Sequence, residues 1–248
     1  MAFDDVADPL GHLKDPDEHT ESILGEPFSN PAAVLEWLSP SHIISEFVTM
    51  VTGYDVFEEA AKLFSGDWEQ VWRAAGAFRN LGDALQEIGI NVSHGNVELD
   101  SSWNGNAADA AYLYFADLSS AISSQQIALS QLAASYERAA EGTYRISETV
   151  STIMKDIMDA AMIGAVAASA GTATIESGVG FVTGWGIAAY EAYKIAELAD
   201  KARKLIAIAT TVVGTATGEI QTLMADTGVL AQYPLPGAGY KHPASGLG

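Results

Sequence analysis

Residues 101–111 read SSWNGNAADAA. A bulky aromatic, Trp103, and a glycine, Gly105, stand together between two long stretches of helical periodicity. Glycine takes a positive φ without the Cβ penalty other residues meet, so Gly105 is where the chain can reverse direction. Asn104 or Asn106 suits the cap of the helix that follows. Trp103 is expected to lay its ring over the open end of the hairpin, a burial worth about 2–3 kcal/mol. The stretch therefore predicts a helix-turn-helix hairpin closed by an aromatic plug.

The run after the turn has the most regular pattern in the chain. From Ala111 through Leu118, Leu129, Thr143, Val150 and Ile157, apolar or small residues recur at alternating steps of four and three. A helix that keeps this period presents one seam to a partner. No proline interrupts it, and it would extend roughly 70 Å. Its flanking positions, among them Ser119, Ala128, Ala133, Ser135 and Ala140, are small and uncharged. A two-stranded coiled coil usually places ion pairs there. Small flanks instead admit neighbouring helices closely, which predicts a bundle. Upstream of the turn, Trp68, Trp72, Ala75, Phe78, Leu81, Leu85, Ile88 and Val92 form a matching stripe, with Asp67 as its cap. The polar segment NVSHGNVELDSS, 91–102, reads as a frayed helix end or short connection.

Farther out the elements are shorter. DVFEEAAKLFSG, 55–66, reads as a helix capped by Asp55 and ending near Gly66. Before it, residues 31–53 read as two short helices separated at Ser39-Pro40-Ser41, the second ended by Gly53. Beyond Ile157 two apolar helices are expected, about 157–173 and 185–213, joined by a loose turn in SGVGFVTGWG, 177–186. The primary expectation for this pair is a buried layer on the long helices, in a soluble state at neutral pH. The competing expectation is a conditional membrane element or partner surface, with Ile163, Val166, Phe181, Trp185 and Ile187 as its face. Small-residue spacing such as Gly164 and Ala168 suits close packing in lipid, whereas Asp159, Glu176, Glu191 and Glu197 oppose it.

The chain thus divides into an acidic disordered arm, 1–30; a helical hairpin with preceding short helices, 31–157; an apolar helical pair, 158–225; and a flexible tail, 226–248. The fold class is all-α: an elongated antiparallel helical bundle built on the W-x-G hairpin, with the apolar pair added.

Composition narrows function. Lys and Arg number 12 against 32 acidic residues, a net charge of -20, and no basic residue lies between Arg79 and Arg138. That argues against nucleic acid, which needs a phosphate-neutralising patch, and against charge-driven docking on anionic lipid. Cysteine is absent, so no thiolate metal site or disulfide forms. His12, His19, His42, His94 and His242 are scattered without ligand spacing. The glycines of 178–186 lack the Lys-Ser/Thr of a phosphate loop, and no nucleophile elbow is present. No catalytic residue, metal or cofactor is expected. The acidic N-terminus MAFDDVADPLGHLK has neither the positive nor the apolar region of a Sec signal peptide.

A W-x-G turn between two long amphipathic helices resembles the WXG100 (ESX-like) family, helical-hairpin substrates of type VII secretion. The resemblance covers roughly 67–157. It includes Asp67-Trp68-Glu69 at the opening of the first long helix and the 103–111 turn. With the apolar pair that follows, the layout is similar to the N-terminal delivery regions of long actinobacterial WXG-containing, polymorphic-toxin-type proteins. Family members carry a tyrosine followed four residues later by an acid, which TYRISE supplies as Tyr144 and Glu148. In the heptad frame both face away from the seam, one turn apart, on one surface patch. The resemblance implies a non-enzymatic protein, secreted or at the cell surface, with Trp103, Gly105, Tyr144 and Glu148 as a bipartite signal. Implied partners are the type VII machinery and a small WXG-type protein, a separately encoded toxin chain or a second copy. The sequence departs from the family in length, in a second helix that continues past Glu148, and in ending at YKHPASGLG without a toxin domain. Alternatives are a carrier or targeting partner for a toxin, and a membrane-permeabilising effector acting through 157–213.

Overall fold

The protein, as a computed structural model, is described over residues 4–16, 42–173, 179–225 and 234–235. Of the described residues 88% are helical, none lies in a strand, and the fold is an all-α helical bundle. Its helices are α1 (His42–Thr52), α2 (Val56–Phe64), α3 (Trp68–Asp100), α4 (Asn106–Ala173) and α5 (Val179–Met224), preceded by a 3-10 turn at Pro9–His12.

Local chemistry sets several of the boundaries. Gly53, at φ 81°, ends α1, and its N–H donates to the Thr49 carbonyl. The Asp55 carboxylate accepts from the Phe57 and Glu58 N–H groups and opens α2. Asp67 does the same for α3 by accepting from Gln70 N at 3.1 Å. Such caps contribute about 1 kcal/mol each.

Two compact units form, each assembled from separated parts of the sequence. The first is drawn from Met1–Glu18, Val71–Arg138 and Thr215–Gly248. Its centre is the antiparallel pair of α3 and the start of α4. The seam between them is made of small residues. The Ser119 hydroxyl donates to the Gly89 carbonyl at 2.9 Å, and Asn96 Nδ2 donates to the Tyr112 carbonyl at 2.9 Å. A methyl placed on Gly89 would stand 2.0 Å from Ser123 Oγ and 2.9 Å from the Ser119 carbonyl oxygen. The backbones therefore meet almost directly. Buried side-chain-to-backbone hydrogen bonds, about 1 kcal/mol each, supplement the dispersion gained there. Farther along, the Phe78 and Tyr136 rings lie 5.4 Å apart and Arg79 pairs with Glu137.

Residues 4–16, part of the arm expected to be disordered, also belong to this unit and are held against α3. Asn91 clamps the segment: its Oδ1 accepts from Val6 N and Ala7 N, and its Nδ2 donates to the Ala7 carbonyl. His12 Nε2 lies 2.9 Å from Glu87 Oε1, and Asn80 Nδ2 donates to the Lys14 carbonyl at 3.1 Å. Polar side chains of α3 satisfy the backbone of the segment, which hydrophobic periodicity does not signal. Residues 17–41, which include the first short helix expected, and 226–233 and 236–248 of the expected tail, lie outside the described residues.

The second unit is drawn from His19–Gln70 and Ala139–Gly214. It contains an apolar core in which Val56, Phe57 and Phe64 of α2 meet Val150, Met154 and Ile157 of α4 and Ile195 of α5, all buried. Burial of each such side chain contributes about 1.5–3 kcal/mol. Tyr54, between α1 and α2, donates its hydroxyl to the Ala199 carbonyl at 3.1 Å and carries the Arg203 guanidinium 4.5 Å above its ring. Burial raises the Tyr54 hydroxyl pKa, against a smaller lowering by Arg203.

The helices run farther than the sequence pattern suggests. α3 continues through the polar 91–100 segment to Asp100, and α4 passes Ile157 unbroken to Ala173. α5 absorbs Gly184 and Gly186, read as part of a turn, and continues past residue 213 to Met224. Gly184 is there for close approach: a methyl on it would stand 2.6 Å from the Gly171 Cα and 2.8 Å from the Ala167 carbonyl oxygen.

Two glycines with opposite surroundings test this packing. Alanine exceeds glycine in helix propensity by about 1 kcal/mol. A methyl added at Gly214 would meet nothing within 4 Å, so Gly214→Ala should gain most of that. Gly89→Ala should lower stability instead, because the Ser119 backbone must give way. Urea unfolding of both variants checks the opposite signs.

Candidate interaction surfaces

The turn is built as a reversal around glycine. Trp103 N donates to the Leu99 carbonyl at 2.9 Å and closes α3. Gly105 then adopts φ 103°, and its carbonyl accepts from Ala108 N at 2.8 Å and Asp109 N at 3.1 Å. Gly105 thus occupies the cap position expected of a neighbouring asparagine. Trp103 is 39% exposed, which corrects the expected plug. At this end the seam is filled by Asn96, Ala108 and Ala111, all buried.

The surface patch expected at Tyr144 and Glu148 is also corrected. Tyr144 is 8% exposed and Glu148 is half-buried. In the second unit α4 is covered on more than one side; a methyl on Gly142, for example, would meet Val212 of α5 at 2.9 Å. A position outside a two-helix seam is therefore still covered. Ser147 Oγ donates to the Tyr144 carbonyl at 2.7 Å. Trp103 and Gly105 belong to the first unit, and Tyr144 and Glu148 to the second.

The expected buried layer is present on one side only. Small residues are buried at the end of α4 and the start of α5, among them Ala160, Ala161, Gly164, Gly171, Gly184 and Ala188; Gly171 stands against Gly184, and Gly164 against Phe47 of α1 and Glu191 of α5. The larger apolar side chains point outward. Ile163 and Val166 on α4 and Trp185 and Ile187 on α5 are exposed. The side chain of Phe181 lies outside the described residues. Met162, Val182, Tyr190 and Tyr193 join this surface, with Tyr193 70% exposed. Sequence reading named none of these four; on α5 it counted one apolar face where the start of the helix has two.

Charge returns where this surface ends. On α5, Glu197 Oε1 lies 2.9 Å from Lys201 Nζ and Asp200 Oδ2 lies 2.7 Å from Lys204 Nζ. The hydrogen bond from Lys201 to Glu197 raises the lysine pKa, so Lys201 stays charged at neutral pH. Glu191 is a buried acid within the seam, with Oε2 lacking a hydrogen-bond partner and 3.9 Å from Lys194 Nζ. In the first unit an open groove of about 710 Å³ is lined by Gln131, Ser135, Arg138, Glu219 and Thr222. Its charges are mutually satisfied: Arg138 pairs with Glu219, which also accepts from Ser135 Oγ at 3.0 Å. Among the described residues no cluster of His, Asp and Glu is placed to hold a metal ion, and no helix is long and apolar enough to cross a membrane. Comparison with known protein families, curated proteins and solved structures returns no match for the chain.

The two aromatic positions should separate sharply in stability. Tyr144→Ala removes a buried ring and should cost about 3 kcal/mol. Trp103→Ala, at an exposed turn, should cost less than about 1 kcal/mol. Urea unfolding followed by circular dichroism checks the order, and a larger loss at Trp103 would restore the plug.

Proposed function

We propose that this chain is a non-enzymatic protein exported by a type VII (ESX-like) secretion system. The observation that carries the reading is the Trp103-Asn104-Gly105 turn, which joins two long antiparallel helices at a positive-φ glycine and leaves the indole accessible. Tyr144 and Glu148 add the spacing of the second half of the signal. Because Tyr144 is buried, direct recognition falls on Trp103 and the half-buried Glu148, with Tyr144 holding the helix in place. The protein acts outside the cell or at its surface and uses no cofactor.

A second reading is favoured by the exposed apolar surface around Val166 and Trp185. In it the chain is a carrier or targeting partner for a separately encoded toxin, which would cover that surface. Co-purification of a toxin chain from the native host, lost on Val166→Glu, distinguishes it.

Export is measured by expressing tagged protein in an actinobacterial host with an intact type VII system and comparing culture filtrates. Wild type should appear outside. Trp103→Ala should fall at least tenfold at equal cellular abundance, and Glu148→Ala should fall as well. Export of Trp103→Ala at the wild-type level, or retention of the wild type in the cell, defeats the reading.

A further inference from the structure

The hairpin formed by the end of α4 and the start of α5 has two sides, and the chain covers one of them. In an antiparallel pair, the residues that follow the seam positions of both helices share one side, and those that precede them share the other. The following side carries the rest of the second unit. Arg203, after the buried Ala202, lies over the Tyr54 ring and 3.9 Å from Glu59 of α2. The Tyr54 hydroxyl donates to the Ala199 carbonyl, and Phe47 of α1 meets Gly164.

The preceding side is open. On α4 it carries Asp156, Ile163 and Ala170, each one residue before the buried Ile157, Gly164 and Gly171, and all three are exposed. On α5 it carries Ile187, Tyr190 and Lys194, each one residue before the buried Ala188, Glu191 and Ile195. Ile187 and Tyr190 are exposed and Lys194 is half-buried. Neighbours on the same side complete a regular spacing. Asp156, Asp159, Ile163, Val166 and Ala170 alternate steps of three and four, and so do Ile187, Tyr190, Lys194, Glu197 and Lys201. Each helix thus has a second heptad stripe beside the one that packs within the chain. Such a stripe is a seam for another helix.

The charge pattern selects the partner. Gly164 stands against Glu191 and Gly171 against Gly184, so Asp159 is level with Ala196 and Asp156 with Ala199. The α4 stripe begins with two acids and continues with Ile163 and Val166. The α5 stripe presents Ile187 and Tyr190 at the height of those apolar residues, and Lys194 and Lys201 at the height of the acids. A two-fold axis parallel to the hairpin sets α4 of one copy against α5 of the other at equal height. Apolar then meets apolar, Asp159 meets Lys194 and Asp156 meets Lys201. Every helix gains an antiparallel neighbour, the arrangement of a four-helix bundle. The surface is therefore complementary to itself, as an isologous contact requires. Its four large apolar side chains and the charged residues bordering them offer on the order of 800 Å² per copy, the size of a standard interface. Val182 and Tyr193 point away from α4 and stay outside this contact.

We infer that two copies of this chain associate through this side of the α4–α5 hairpin, in a two-fold contact that makes one four-helix bundle from two hairpins. The inference does not depend on the export reading.

Sedimentation equilibrium of the full chain at micromolar concentration and neutral pH should give twice the chain mass. Ile163→Glu/Tyr190→Glu should weaken the dimer at least tenfold with an unchanged circular dichroism spectrum, since both side chains are exposed. Lys194→Glu should weaken it at least threefold, and adding Asp159→Lys should restore it, because the swap rebuilds the pair across the two-fold. Leu81→Glu, an exposed apolar position in the first unit, should sediment like wild type. A monomeric wild type overturns the inference, including one that instead floats with phosphatidylcholine vesicles or carries a toxin chain on this face. So does a dimer that Ile163→Glu/Tyr190→Glu leaves intact or that Leu81→Glu dissociates, or a Lys194→Glu loss that Asp159→Lys does not restore.

Discussion

Backbone-to-backbone contact is the constraint on which the structure rests. In the first unit α3 and α4 meet at Gly89 and Ser119, where a methyl would stand 2.9 Å from a carbonyl oxygen. In the second unit α4 and α5 meet at Gly171 and Gly184, where it would stand 2.6 Å from a Cα. Helix axes this close exclude large side chains from the seam. Stability then comes from dispersion along the backbones and from short polar bonds such as Ser119 to Gly89, rather than from interlocked large residues. The exception is the core around Phe57, Phe64, Met154 and Ile195, where α2 adds a further layer and large side chains fill the space.

The seam also decides what the surface looks like. Large apolar residues that cannot enter must face elsewhere. Where a further helix covers them they become core, as at Phe64 and Ile157; where none does they remain exposed, as at Val166, Val182 and Tyr193. Tyr144 and Trp103 follow the same rule with opposite results. Tyr144 lies outside the two-helix seam but beneath other elements, whereas Trp103 lies at a helix end already filled by alanines. The exposed apolar surface of the second unit is thus a consequence of how its helices pack.

Much of the fold was legible in the sequence. The four-three spacing from Ala111 to Ile157 marks positions none of which is exposed, and Asp55, Asp67, Gly53 and Gly105 act at the boundaries they signal. The failures have physical causes. Glycine marks both turns and close approaches, so Gly184 and Gly186 read as a loop although they lie within α5. A heptad frame counts one partner, so it places Tyr144 on the surface. The docking of residues 4–16 rests on Asn80, Glu87 and Asn91, polar residues with no periodic signature. Of the candidate surface, Ile163, Val166, Trp185 and Ile187 were legible as apolar residues in an apolar pair. Met162, Val182, Tyr190 and Tyr193 were not, and on α5 the cause is that the start of the helix has two apolar faces where one was counted.

The central claim is that the seam holds small residues while the large ones face out, and the chain offers a clean probe because it contains no cysteine. Single cysteines placed as Val182→Cys and Tyr193→Cys on the outward face, and as Ala188→Cys and Ala199→Cys in the seam, can be labelled with an uncharged maleimide in the native state. The account predicts that the first two react nearly as fast as in the denatured chain, while the last two are protected until unfolding. Protection at Val182→Cys and Tyr193→Cys equal to that in the seam would contradict it, and would mean that another layer of protein covers this face.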